Sequence, residues 1–131
     1  MALPTKFIAR YASAVLALEA LIELGVGLTM LFAPQAFYPE APQRMLELAR
    51  DFGNGAMMPG LIGVFALIYR GREASVMGFC LLACYHTGVA ILQARTPWAT
   101  SMPWAGTAFH GWLALSFLAL LIWTLRGGSR E

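Results

Sequence analysis

Glu19 and Glu23 stand four residues apart in a near-continuous apolar stretch, residues 7–32, that carries no other charge after Arg10. About 20 apolar residues cross the hydrocarbon core of a bilayer, so the stretch is long enough for a transmembrane helix and the two acids are its anomaly. Even on lenient insertion scales a charged side chain at mid-membrane costs roughly 2.5–3.5 kcal/mol, and it needs a partner, a proton or water. The i, i+4 spacing puts both carboxylates on one helix face. That face must look into protein.

Three further apolar segments supply what it could meet. His86 lies in the third, with Tyr85 beside it and Gln93 seven residues on; His110 lies near the start of the fourth. Asp51, Asn54 and Met58 share one face at the outer end of the second, being spaced i, i+3 and i+7. At 1.5 Å per residue, His86 is roughly 12 Å and His110 roughly 8 Å below the outer ends of their helices, with Glu23 at roughly 15 Å. Asn54 sits about one turn below its own helix end. The spacing therefore predicts that four helices each send a polar side chain toward the outer half of a bundle, with Glu19 a turn deeper.

A desolvated carboxylate beside an imidazole suits acid–base work, in which the pair passes a proton near neutral pH. On this reading Glu23 and His86 are base and acid, Glu19 is a second proton site, and His110 and Asn54 orient the ligand. Asp51, Tyr85 and Met58 join Asn54 as ligand-lining residues. Isomerisation, hydration or ring opening of a lipophilic small molecule fits such a site. Two imidazoles at matched depth could instead ligate a haem iron, for which the Gly-rich second and fourth helices leave room. Carboxylates and imidazoles also suit zinc or iron, but no helix carries H-E-x-x-H or Glu-x-x-His, and no metal is assigned. The plainest alternative is packing: Glu23 and one histidine satisfy each other, and His110 meets water.

The elements that must hold these groups follow from composition. The chain has 131 residues, 59% of them hydrophobic and 12% charged, with mean hydropathy +0.64. Soluble domains carry about 25% charged residues, which places this chain among membrane proteins. The expected spans are 7–33, 52–69, 74–94 and 105–125 in one domain. Pro34, Pro39 and Pro42 break the first loop, which carries Phe37 and Tyr38 as interfacial aromatics. Residues 43–50 alternate polar and apolar, as an interfacial turn or a lead-in to the second span. Gly53, Gly55, Gly60 and Gly63 permit close helix approach there, and Pro59 should bend the helix. Arg70, Gly71, Arg72 and Glu73 make a tight turn. Pro97, Trp98, Pro103 and Trp104 mark the last loop at interfacial depth.

Lys6, Arg10, Arg70, Arg72, Arg126 and Arg130 flank one side, against Arg44, Arg50 and Arg95 on the other, so both termini are expected in the cytoplasm. The net charge of +2 has no basic stripe to suit nucleic acid. The N-terminal run is too long for a signal-peptide core and is expected to be retained. Cys80 and Cys84, four apart on a helix, are not a C-x-x-C pair and read as small buried hydrophobes.

Leu31-Phe32-Ala33-Pro34, Arg50-Asp51-Phe52-Gly53, Tyr85-His86 and Phe109-His110-Gly111 together resemble the DoxX-like group of small four-helix membrane proteins and related four-span families. That resemblance covers most of the chain and implies a compact four-helix bundle, without an activity to assign to residues. The stretch from Ala14 to Glu19 is similar to the opening of small multidrug transporters, which lack histidines in helices three and four. Likeness to membrane isomerases of the styrene oxide isomerase type is one of size and architecture.

The expected fold is thus all-α: an antiparallel four-helix transmembrane bundle in a lipid bilayer, taken as the bacterial inner membrane. The expected function is binding a lipophilic small molecule in a polar intramembrane pocket and transforming it by proton transfer. Competing classes are a proton-coupled small-molecule transporter and a haem- or pigment-binding accessory subunit of a membrane complex. The glycine faces also permit a homo-oligomer.

Overall fold

The structure, a computed structural model, describes residues 5–95 and 103–127. It is all-helical: α1 (Thr5–Phe32), a single 3-10 turn (Pro34–Ala36), α2 (Gln43–Ile68), α3 (Arg72–Arg95) and α4 (Pro103–Leu125). The helices have 28, 26, 24 and 23 residues. At 1.5 Å per residue each exceeds the roughly 30 Å hydrocarbon core, and all four are long and apolar enough to cross a membrane.

Prolines set the breaks. Pro34 ends α1 by starting the 3-10 turn, where the Phe37 and Tyr38 amides donate to its carbonyl at 3.1 and 3.0 Å. Pro42 caps α2 in an extended conformation, and the Met45 amide donates to its carbonyl. No breaker lies between Pro42 and Pro59, so the amphipathic stretch 43–50 joins the second span as one helix, nine residues ahead of the expected start at 52. The helix continues through Pro59. Between α2 and α3 only residues 69–71 intervene, and Ser75 Oγ donates to the Gly71 carbonyl at 2.9 Å. The expected turn at 70–73 is therefore shorter, with Arg72 and Glu73 already helical. Of the last loop, residues 96–102 lie outside the described residues, as do 128–131 of the tail.

α1 packs along α2 and α3 along α4, α2 meets α3 less extensively, α1 touches α4 only slightly, and the diagonal pairs make no close backbone approach among the described residues. Gly27, Gly53 and Gly60 let α1 and α2 approach backbone to backbone: a Cβ on Gly53 would lie 2.8 Å from the Gly27 carbonyl oxygen, and one on Gly60 2.9 Å from the Leu24 amide nitrogen. Small residues are how membrane helices gain contact when lipid removes the hydrophobic drive to associate.

The core divides by depth. Leu16, Phe79, Leu82, Leu113 and Phe117 fill one end of the bundle, with Phe79 and Phe117 stacked at 6.2 Å. The carboxylates and imidazoles lie just beyond this plug. Outside, large apolar side chains such as Phe65, Met77 and Leu115 are exposed, as suits helices with lipid for solvent. Cys80 and Cys84 are free and exposed. This corrects their expected burial: the buried stripe of α3 runs Ser75, Gly78, Phe79, Leu82, Ala83, His86, and both cysteines fall outside it.

Candidate functional site

The buried positions of α1 recur every three or four residues, from Ala12 and Leu16 through Glu19 to Glu23 and Gly27. A stripe of that period faces the bundle interior, so the two acids point there because the leucine a turn earlier does. The same period on α3 carries His86 inward from Leu82, and on α4 Leu113 and Phe117 set the face from which His110 projects.

Four titratable side chains on three helices form a chain of close approaches. Glu19 Oε2 is 3.0 Å from His86 Nε2, with both side chains fully buried. His86 Nδ1 is 2.8 Å from His110 Nδ1. His110 Nδ1 is in turn 3.9 Å from Glu23 Oε1, at side-chain exposures of 13% and 6%. A contact between two imidazole Nδ1 atoms requires one to carry the proton and the other to accept it. The Glu19 approach is close but misaligned. Neither Glu19 oxygen nor His86 Nε2 completes a hydrogen bond among the described residues, so the first link is an electrostatic contact.

Rings fix the histidines in place. His86 lies near-parallel to His110 at 5.0 Å and to Phe117 at 5.8 Å, and Tyr85 meets its edge at 5.0 Å. Gly63 of α2 makes room for the stem of Glu19, since a Cβ there would sit 3.4 Å from Glu19 Cγ and 3.3 Å from the Leu16 carbonyl oxygen.

The matched depth of the two histidines is realised as direct contact. Pairing differs from the expectation: Glu19, not Glu23, approaches His86, and Glu23 approaches His110. Both acids lie on the inward face, and α1's rotation and depth decide which imidazole each reaches. Asp51, Asn54 and Met58 are exposed on α2 and do not join the cluster. The buried stripe of α2 is Ala49, Gly53, Ala56, Gly60 and Gly63, and Asn54 is one residue, or about 100°, off it. Three helices rather than four supply the polar groups.

Thr107 was not anticipated. Its Oγ1 and the Oε1 of Gln93 are buried without a hydrogen bond among the described residues. Thr87 and Thr124, by contrast, bond back to the carbonyls of Ala83 and Leu120 at 2.7 and 2.8 Å. Thr107 stands three residues before His110, and that spacing was the available signal. Gln93 lies over Gly106, where a Cβ would come within 2.7 Å of its Oε1. Open polar atoms thus continue one to two turns beyond the histidines toward the end of α3 and the start of α4. Below them, Tyr11 and Ser116 share a hydrogen bond of 2.8 Å that ties α1 to α4.

A connected set of carboxylates and imidazoles of this kind can hold, pass and exchange a proton within a low-dielectric interior. No family model matches this chain, and no curated protein and no solved structure matches it, so its chemistry rests on this geometry alone.

Proposed function

We propose that this chain is an antiparallel four-helix bundle of the bacterial inner membrane, with both termini cytoplasmic, that binds a lipophilic small molecule and acts on it by proton transfer. The antiparallel arrangement is supported by paired contacts whose numbers fall in one helix as they rise in the other. Gly27 meets Gly53 while Gly63 meets Leu16, and Gln93 meets Gly106 while Arg72 reaches the Leu125 carbonyl. The DoxX-like resemblance is part of the same proposal.

The observation that carries the functional reading is the Glu19–His86–His110–Glu23 series of close approaches, at 3.0, 2.8 and 3.9 Å, with a hydrogen bond at its centre. Its more exposed end, His110 with Glu23, lies between α1 and α4, the least extensively packed of the neighbouring helix pairs. A lipophilic molecule entering that seam from the bilayer meets these two side chains first. Glu23 and His110 are then the groups that take and return a proton on the ligand. His86 relays charge to Glu19, whose fully buried carboxylate offsets the positive charge that forms on the imidazoles.

The test is solvent exchange. Purified wild-type protein in nanodiscs, incubated in D2O with a lipid extract of its own membranes, is expected to convert or deuterate a small lipophilic component resolved by mass spectrometry. Glu23→Gln and His110→Ala should each lower that rate at least 100-fold, within the usual contribution of general acid–base groups. Labelling that proceeds as fast in both variants as in the wild type contradicts the proposal.

A further inference from the structure

His86 offers one ring nitrogen to each of two different partners, and the side facing His110 has an unusual feature. One ring nitrogen each of His86 and His110 and a carboxylate oxygen of Glu23 all lie within 4.8 Å of one another, and the two Nδ1 atoms are 2.8 Å apart. In a neutral pair of imidazoles these two nitrogens can share only one proton, and the Glu23 oxygen stays too far for a direct hydrogen bond at 3.9 Å from His110 Nδ1. Three donors converge on one point, and one proton does not satisfy them.

A divalent metal satisfies all three. At Zn–N and Zn–O distances of about 2.0–2.2 Å, ligand atoms in a tetrahedral site stand roughly 3.3 Å apart. The observed 2.8 Å and 3.9 Å bracket that spacing. Moving the two rings apart by about 0.5 Å and the carboxylate inward by up to about 1.5 Å brings all three ligand atoms to that spacing. The far nitrogen of His86 faces Glu19 Oε2 at 3.0 Å, the position of the outer carboxylate that orients and polarises a metal-bound histidine. An isolated packing pair has no need of this second carboxylate.

We propose that Glu23, His86 and His110 bind one zinc-type divalent cation, with Glu19 as the supporting carboxylate behind His86 and the fourth position open toward the α1–α4 seam. Two imidazoles and one carboxylate with an open position are the ligand set of hydrolytic zinc sites. On binding, His110 moves its ring proton from Nδ1 to Nε2, both Nδ1 lone pairs turn to the metal, and His86 keeps its proton on Nε2 facing Glu19. The inference goes beyond the proton-transfer reading by giving the same side chains a different chemistry: with a metal bound, Glu23 and His110 Nδ1 ligate the ion instead of exchanging a proton with the ligand.

The test titrates Co2+ into the chelator-treated, full-length protein in detergent and follows its d–d absorption, with Zn2+ as competitor. One equivalent per chain is expected, with the intensity of a four-coordinate nitrogen–oxygen site and displacement by Zn2+. His86→Ala and His110→Ala should abolish the band. Glu19→Gln, which keeps the side-chain shape, should weaken binding 10- to 100-fold at unchanged stoichiometry. Because the alanine variants remove buried side chains, the wild-type spectrum and Glu19→Gln carry the test if those variants do not fold. Three outcomes overturn the proposal: no saturable band in the wild type, a band unchanged in folded His86→Ala and His110→Ala, or a sulfur charge-transfer band pointing to Cys80 or Cys84. Deuterium exchange that persists in metal-free protein showing no Co2+ band would sink the metal site and leave the proton-transfer reading standing.

Discussion

His86 is the residue on which the site turns, held by Glu19 on one nitrogen and His110 on the other and clamped by Phe117 and Tyr85. Removing one member of a buried charged pair typically costs about 3–5 kcal/mol because the other is stranded, whereas replacing both by apolar groups of similar volume is often neutral. Glu19→Leu alone and His86→Phe alone should therefore each destabilise the bundle by several kcal/mol, and the double variant should recover most of that loss, as measured by equilibrium unfolding in mixed micelles. Additive losses would show that the two side chains do not interact. At this scale the sequence was partly legible. The i, i+4 acids and equal histidine depths foretold the meeting, because a helix has a fixed rise and a fixed period. Which acid meets which imidazole was not legible, since both share one face and the choice depends on rotation and depth of α1. Nor did the spacing reveal a ligand set, because Glu23, His86 and His110 come from three helices and match no local metal motif.

The helices position these residues through two unlike seams. The α1–α2 seam is closed by glycines against backbone, with Gly53 and Gly60 having no room for a methyl group. Gly53→Ala and Gly60→Ala should each cost about 1–3 kcal/mol by overpacking. Gly25→Ala and Gly88→Ala, where a Cβ meets nothing within 4 Å, should be neutral or stabilise by up to about 1 kcal/mol, because alanine loses less backbone entropy in a helix than glycine. Unfolding of the four variants in one detergent checks both halves of this contrast, and equal effects at all four positions would refute the seam. The glycines announced this close approach in the sequence. The assignment of Asn54 to the interior failed because Asp51, Asn54 and Met58 share a face that is adjacent to the small-residue stripe rather than on it. A face defined by polarity and a face defined by small size are both readable; which one the bundle buries depends on its neighbours.

For the whole molecule, the division into an apolar plug and a polar half lets a membrane protein carry ionisable groups without exposing them to lipid. Leu16, Phe79 and Phe117 seal one end, and Glu19, Glu23, His86 and His110 lie beyond it. The proposed topology puts residues 33–42 on the outer side and residues 69–71 on the cytoplasmic side. Cysteines introduced at Glu40 in a Cys80→Ser, Cys84→Ser background should react with an impermeant maleimide added outside intact cells, and cysteines at Gly71 should react only after lysis. The reverse pattern would invert the topology and open the polar half to the cytoplasm. Length and composition were enough to read four helices long and apolar enough to cross a membrane. The continuous α2 from Gln43 was less evident, since an amphipathic lead-in and a separate interfacial helix have the same local pattern.

The central claim is that the two imidazoles form one connected site with the acids, and the chain's having only two histidines makes that directly observable. The measurement is the 15N spectrum of ring-labelled histidine in nanodiscs, recorded on wild type, Glu23→Gln and His110→Ala with metal chelated. The account requires a scalar coupling between the two Nδ1 atoms, lost in His110→Ala, and a change in the His110 tautomer in Glu23→Gln. Two uncoupled imidazoles, each averaging between tautomers as in water and indifferent to Glu23, would contradict it.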